Sequence, residues 1–135
     1  IMIVMVVKRA GARDIFSVDI QDFRLRRAKE QGATEVIDNT EGDALEAIAQ
    51  LTDRHGVDVA FEVVGMPLTL IQSLKALRKG GTAVVVGLFS EPDMVIPSNI
   101  FVQKEITLSG SQGYCWDFQA ALKLLEKKDI DLRPL

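Results

Sequence analysis

Residues 10–38 read AGARDIFSVDIQDFRLRRAKEQGATEVID, and this stretch decides the fold. Ile15-Phe16-Ser17-Val18 is a short apolar run that ends in an acid, Asp19. From Gln21 to Gln31, Phe23, Leu25 and Ala28 stand among charges, and Gly32 is a fitting stop, so the spacing predicts a helix. Thr34-Glu35-Val36-Ile37-Asp38 then reads as a second short strand. Two strands separated only by a helix are joined by a crossover and lie parallel, and such crossovers are right-handed in nearly all cases.

Downstream the alternation continues. Leu45, Ile48, Ala49 and Thr52 recur at i, i+3, i+4, i+7, which predicts an amphipathic helix over Asp43–Arg54. Asp43 with Glu46 makes a box-like N-terminal pattern, and His55-Gly56 ends the helix. Val57 to Val64 reads as a strand closed by Gly65. Pro67 suits the first turn of a helix whose buried face is Leu70, Ile71, Leu74 and Leu77, stopped by Gly80-Gly81. Thr82–Val86 is an apolar strand followed by Gly87, and Ser90–Lys104, with Pro92 and Pro97, breaks the pattern. Ile106-Thr107-Leu108 reads as a strand before Ser109-Gly110-Ser111. Phe118, Ala121, Leu122 and Leu125 predict a last helix ending near Asp129. Short, β-branched, apolar strands separated by helices are the signature of a doubly wound α/β parallel sheet covered on both faces.

Upstream, Ile1-Met2-Ile3-Val4-Met5-Val6-Val7 reads either as a buried strand or as the end of a buried helix with Gly11 as its cap. Periodicity cannot separate the two over so short a run. Lys8-Arg9 follows the apolar run instead of preceding it, unlike a secretory leader. The run also falls far short of the ~20 apolar residues that span a bilayer. Position 1 is not Met, and the chain reads as one that starts inside a longer sequence, just as Arg133-Pro134-Leu135 reads as the start of a connection.

At 135 residues the chain has the length of one domain, 1–135. Sixteen basic against nineteen acidic residues give a net charge of −3, with no basic footprint for nucleic acid or an anionic membrane. One cysteine, Cys115, excludes an internal disulfide, and with one histidine, His55, the chain lacks the three or so ligands of a catalytic zinc.

In doubly wound sheets ligands bind beyond the carboxyl ends of the strands, so Asp19, Asp38, Gly65 and Gly87 are the candidates. A carboxylate at a strand end can accept two hydrogen bonds from a ribose diol and repels a 2'-phosphate, favouring NAD over NADP. The plain alternative for Asp19 is a solvated cap of the helix after it. Arg24, one turn into that helix, could reach the same ribose or a phosphate, or could belong to a charged helix face with Arg26 and Arg27. Gly65 and Gly87 would let a ligand approach the backbone or would simply form tight turns. His55 reads as an exposed helix-end residue and Cys115 as a packed thiol beside Trp116. Glu62, between Phe61 and Val63, could be an inward carboxylate whose partner cannot be read.

Four segments, in this order and spacing, carry a family resemblance: AGARDIFSVDIQDFRLRRAKEQGATEVID, GVDVAFEVVG, LKALRKGGTAVVVGLF and KEITLSGSQGY. Together they resemble the coenzyme-binding domain of the zinc-containing medium-chain alcohol and polyol dehydrogenases, over Val4 to Pro134. The resemblance implies a Rossmann-like fold and a helix, not a strand, for Ile1–Arg9. It implies that Asp19, with Arg24 beside it, binds the adenosine ribose of NAD. Val18, Ile20 and Val64 would border the adenine, and Val63 and Gly65 would lie along the cofactor. Val86, Gly87 and Leu88 would lie near the nicotinamide, with Thr107 and Ser109 offering backbone groups to its carboxamide. DMVIPSNIFVQK resembles the family's subunit contact, in which an edge strand at Met94-Val95-Ile96 pairs across a two-fold axis into a homo-oligomer.

The same resemblance places the first strand and the Gly-rich phosphate loop just upstream of Ile1, and the zinc-bearing catalytic domain ahead of them. The chain is then expected to be a piece of a cytoplasmic enzyme that moves hydride from a small alcohol or polyol to NAD, with zinc only in the full-length protein. By itself it is expected to be inactive and to bind NAD poorly. The alternatives are a stand-alone nucleotide-binding or dimerisation module, and a zinc-free reductase of the same superfamily, whose NADP-using members Asp19 argues against.

Overall fold

A computed structural model describes residues 1–91, 93–113, 116–127, 130 and 132–133. The readings made of Pro92, Cys115, Asp129, Pro134 and Leu135 lie outside the described residues. The chain divides into two compact units, Ile1–Ala44 with Gly113–Leu135, and Leu45–Gln112.

The first unit opens with helix α1 (Met2–Arg9). Its β-branched run has strand propensity, but Val4 and Val7 pack with Ile15, Ala28, Ala33 and Val36, and that burial outweighs the local preference. Lys8 and Arg9 occupy the last turn, where they complement the helix dipole, and Gly11 follows at φ +91°. Strand β1 (Phe16–Asp19), helix α2 (Asp22–Gln31) and strand β2 (Glu35–Asp38) form the expected crossover, with β1 and β2 parallel and Asp19 level with Asp38. Gly32 caps α2 in the left-handed region at φ +116°. Leu25 and Ala28 are buried, whereas Phe23 is exposed under the Arg27 guanidinium. Thr34 ties the start of β1 to β2: its hydroxyl accepts from the Ile15 amide at 2.7 Å.

The second unit carries most of helix α3 (Ala44–Leu51), then strand β3 (Val57–Glu62), helix α4 (Pro67–Ala76), strand β4 (Leu77–Val85), helix α5 (Asn99–Lys104) and strand β5 (Thr107–Gly110). The three strands form one parallel sheet in the order β3-β4-β5, separate from the β1-β2 sheet. The core is Leu70, Leu74, Leu77, Ala83 and Ile106. Helix α6 (Asp117–Glu126) belongs to the first unit.

Several expected boundaries move. Helix α3 stops at Leu51, and Asp53 and Arg54 follow with positive φ, so the helix does not reach Arg54. Leu77 is buried as expected but opens β4 with extended dihedrals, so α4 ends at Ala76 and Gly80-Gly81 do not terminate it. The pairing passes from Val57↔Leu77 to Val59↔Thr82, so the extra residues of β4, with Gly80 at φ +73°, bulge out of the ladder. The last strand runs Thr107–Gly110 instead of Ile106–Leu108, with Ser109 and Gly110 opposite Val84 and Val85. The Ser90–Lys104 segment contains α5, which the two prolines obscured. No strand forms at Met94-Val95-Ile96 within this chain: Met94 and Ile96 pack on the core and Val95 is 92% exposed.

Candidate functional site

Asp19 closes β1, where a chain turning into α2 leaves backbone amides without partners. Its Oδ1 accepts from the amides of Ile20 (2.8 Å) and Gln21 (3.0 Å), which shapes the turn. The cap position of α2 is Gln21, so Asp19 supports the turn without being the helix cap. Its Oδ2 faces Arg24 Nη1 at 3.7 Å. A pair this long and this exposed adds about 0–1 kcal/mol to stability, so its effect is to orient the carboxylate. An ionised carboxylate offers about four acceptor sites, and the turn engages two of them. Val18 and Ile20, on either side, present exposed apolar surface, Ile20 at 64%. This donor and acceptor set fits a ribose diol with a flat apolar base beside it.

The neighbouring strand ends in the same way. Asp38 Oδ1 accepts from the Thr40 hydroxyl (2.6 Å) and amide (2.8 Å), and these bonds hold its carboxyl below the usual range. The Asn39 amide bonds the Asp19 carbonyl, joining the two strand ends.

In the second unit the carboxyl ends of β3 and β4 are held by Glu62. Its Oε1 accepts from the amides of Val64 and Gly65, both at 2.9 Å, and lies 2.7 Å from the Thr69 hydroxyl. Its carbonyl accepts from Val86 (2.8 Å) and Gly87 (3.1 Å). Gly65 sits at φ +81°, and a Cβ there would lie 2.2 Å from the Leu88 carbonyl oxygen. A Cβ on Gly87 would lie 2.4 Å from the Gly65 nitrogen. Both glycines are therefore required by the close approach of two turns, whatever else they border. Around them Val63, Val64, Val86 and Leu88 are exposed, Leu88 at 82%. The structure thus brings Val63–Gly65 and Val86–Leu88 together at one edge. Ser109 is level with Val84 near that edge, whereas Thr107 lies two residues earlier, opposite Thr82.

The sequence reading left Glu62 without a role and passed over Thr69 and Thr40. A signal was available: an acid inside an apolar strand, with Gly65 three and Thr69 seven residues on. His55 is exposed, its Nδ1 3.1 Å from the Asp53 carbonyl. Among the described residues no group of three or more His, Cys, Asp or Glu could hold a metal ion. Among them, too, no helix is long and apolar enough to cross a membrane.

The family described as zinc-binding dehydrogenase matches residues 1–127. Sorbitol dehydrogenase of Bacillus subtilis (strain 168) is 34% identical over 135 residues, which is all of this chain and 38% of that protein. The crystal structure of 2R,3R-butanediol dehydrogenase from Bacillus subtilis superposes with a TM-score of 0.84 at 35% identity, over 93% of this chain and 36% of that one. A crystal structure from Sinorhizobium meliloti 1021, described as a zinc-binding dehydrogenase bound to NADP, reaches a TM-score of 0.91 at 30% identity, over 97% of this chain and 39% of its own. The chain spans less than two-fifths of the length of the first relatives it matches.

Proposed function

The chain belongs to the zinc-binding dehydrogenase family, and on that premise we propose that residues 1–135 are part of the dinucleotide-binding domain of an NAD-dependent, zinc-containing alcohol or polyol dehydrogenase. Its substrate class is a small alcohol, and its setting the cytoplasm. NAD, when bound, supplies the acceptor for a hydride from the alcohol carbon. This chain's residues bind and orient. Asp19 accepts hydrogen bonds from the adenosine ribose hydroxyls, Arg24 keeps its carboxylate turned to them, and Val18 and Ile20 cover the adenine. Val63 and Gly65 run along the cofactor. The Val86-Gly87-Leu88 turn borders the nicotinamide, with backbone groups of Thr107 and Ser109 toward its carboxamide. Among the described residues no group of three or more His, Cys, Asp or Glu could hold a metal ion, and zinc-dependent turnover by the 135-residue chain alone would overturn this reading.

The observation that carries this reading is the Asp19 turn. Its amides take one carboxylate oxygen, while the other faces Arg24 across 3.7 Å beside exposed Val18 and Ile20. A 2'-phosphate placed there would meet like charge, which favours NAD. The NADP-bound relative gives the competing outcome a concrete form. Steady-state kinetics of the full-length protein with both cofactors test it: NAD should be preferred, and D19S should erode the preference by at least about tenfold, roughly 1.4 kcal/mol. NADP preferred by the unaltered protein would overturn the role given to Asp19.

We further propose that Met94-Val95-Ile96 meets the same segment of a second copy. Met94 and Ile96 are anchored on the core while Val95 is turned out, the alternation of a strand that lacks a neighbour.

A further inference from the structure

Glu62 is 1% exposed, and its Oε2 has no hydrogen-bond partner. A carboxylate buried in this way is costly, and an apolar side chain would fill the same place at lower cost. What Glu62 does instead is local and specific. Through Oε1 it gathers the amides of Val64 and Gly65 and the hydroxyl of Thr69, in the first turn of α4. The Thr69 hydroxyl also lies 2.8 Å from the Met66 carbonyl; its shorter contact is the one to Oε1. Through its carbonyl Glu62 holds the amides of Val86 and Gly87. Its Oε2 lies 2.8 Å from where a Gly87 Cβ would stand, so side chain and glycine fill one another's space. One residue therefore fixes both turns at this edge of the sheet.

We propose that Glu62 is a positioning residue for the cofactor: it holds the Val63–Gly65 turn, docked on Gly87 and Leu88, in the shape that receives the dinucleotide. The proposal rests on the NAD-binding reading of this edge. A turn already held by three donors on one oxygen does not have to be ordered when the ligand arrives, and that saving appears as affinity. The charge of Glu62 is secondary on this account; what matters is an acceptor oxygen at the Oε1 position.

The test compares E62Q, E62L and T69V in the full-length protein. Calorimetry gives the NAD dissociation constant, kinetics give separate KM values for NAD and alcohol, and a thermal midpoint reports folding. E62Q keeps a carbonyl oxygen for the same donors and should bind NAD within about threefold of the unaltered protein. E62L leaves two amides without their acceptor and should weaken NAD at least about tenfold, with the alcohol KM unchanged. T69V removes one donor of three and should weaken NAD about two- to threefold. Equal weakening by E62Q and E62L, or an E62L affinity equal to the unaltered protein's, overturns the proposal. So does a rise of both KM values together, which marks a merely structural role. Should E62L not fold, T69V decides: an unchanged affinity overturns the proposal, and weakening beyond that of E62Q supports it. An unaltered protein that binds no NAD overturns the functional reading itself, whereas NAD binding insensitive to these variants overturns only the role of Glu62.

Discussion

At the scale of single residues, the two aspartates that end β1 and β2 do similar local work with different partners. Asp19 turns one oxygen to backbone amides and the other toward Arg24, whereas Asp38 spends one oxygen on both the amide and the hydroxyl of Thr40. Both bonds favour the ionised form of Asp38 and lower its pKa, the hydroxyl contributing more. The sign follows from linkage. A carboxyl whose folded pKa lies below its unfolded value contributes stability above the unfolded pKa, and that contribution is lost as pH falls through the folded one. T40V should therefore raise the Asp38 pKa toward 3.8 and shrink the acid window in which the pair contributes. Carbon-detected NMR titration of the Asp38 carboxyl reads this directly; an unmoved midpoint would show that the Thr40 hydroxyl is not the cause. Asp19, Gly65 and Gly87 were legible in the sequence because the ends of strands are legible. The part played by Glu62 was not, because two of its three partners are backbone amides, which every residue but proline carries.

At the scale of elements, two contacts decide how β3, α4 and β4 join. The Gly65 turn leaves no room for a side chain and sits at φ +81°. G65A would meet both the left-handed penalty, about 1–2 kcal/mol, and the clash with Leu88, and should cost roughly 2–4 kcal/mol in all. A denaturation midpoint close to that of the unaltered protein would mean the two turns do not pack as described. At the other end of α4, Lys104 Nζ donates to the carbonyls of Lys75 (2.6 Å), in the last turn of the helix, and of Leu77 (2.7 Å), the first residue of β4. This contact holds α5 to the point where α4 becomes β4. K104M keeps much of the side-chain volume but removes both bonds, and should destabilise by about 1–3 kcal/mol, read by urea denaturation. No loss would place the capping of those carbonyls elsewhere. Neither the end of α4 at Ala76 nor the bulge at Gly80 could be read along the chain. Leu77 satisfies the helical spacing of Leu70 and Leu74 and is buried as that spacing requires, yet the backbone that buries it is a strand.

At the scale of the whole molecule, the association proposed above rests on the segment 93–98. Met94 and Ile96 contribute to the core of the second unit, while Val95 between them is almost wholly exposed. If a second copy pairs there, V95K places a charge on each side of a two-fold axis and should shift the protein toward a smaller species in sedimentation velocity. A sedimentation coefficient unchanged at low concentration would count against the contact.

The sequence by itself determined the fold class, the alternation of strands and helices from β1 to β4, the acid at the end of β1, and the family. These follow from period, glycine and proline placement and terminal acids, all of which are local. It also set the −3 charge and the scarcity of Cys and His. The resemblance implied a helix at the start of the chain where the residues alone left strand or helix open; the tertiary structure supplies the reason Met2–Arg9 is helical, because Val4 and Val7 gain more by packing on Ile15 and Ala28 than their β-branched character loses. It alone decided the bulge in β4, which is set by pairing with β3. It alone gave Glu62 its place, since a buried carboxylate acquires a function only from the donors that the fold brings to it.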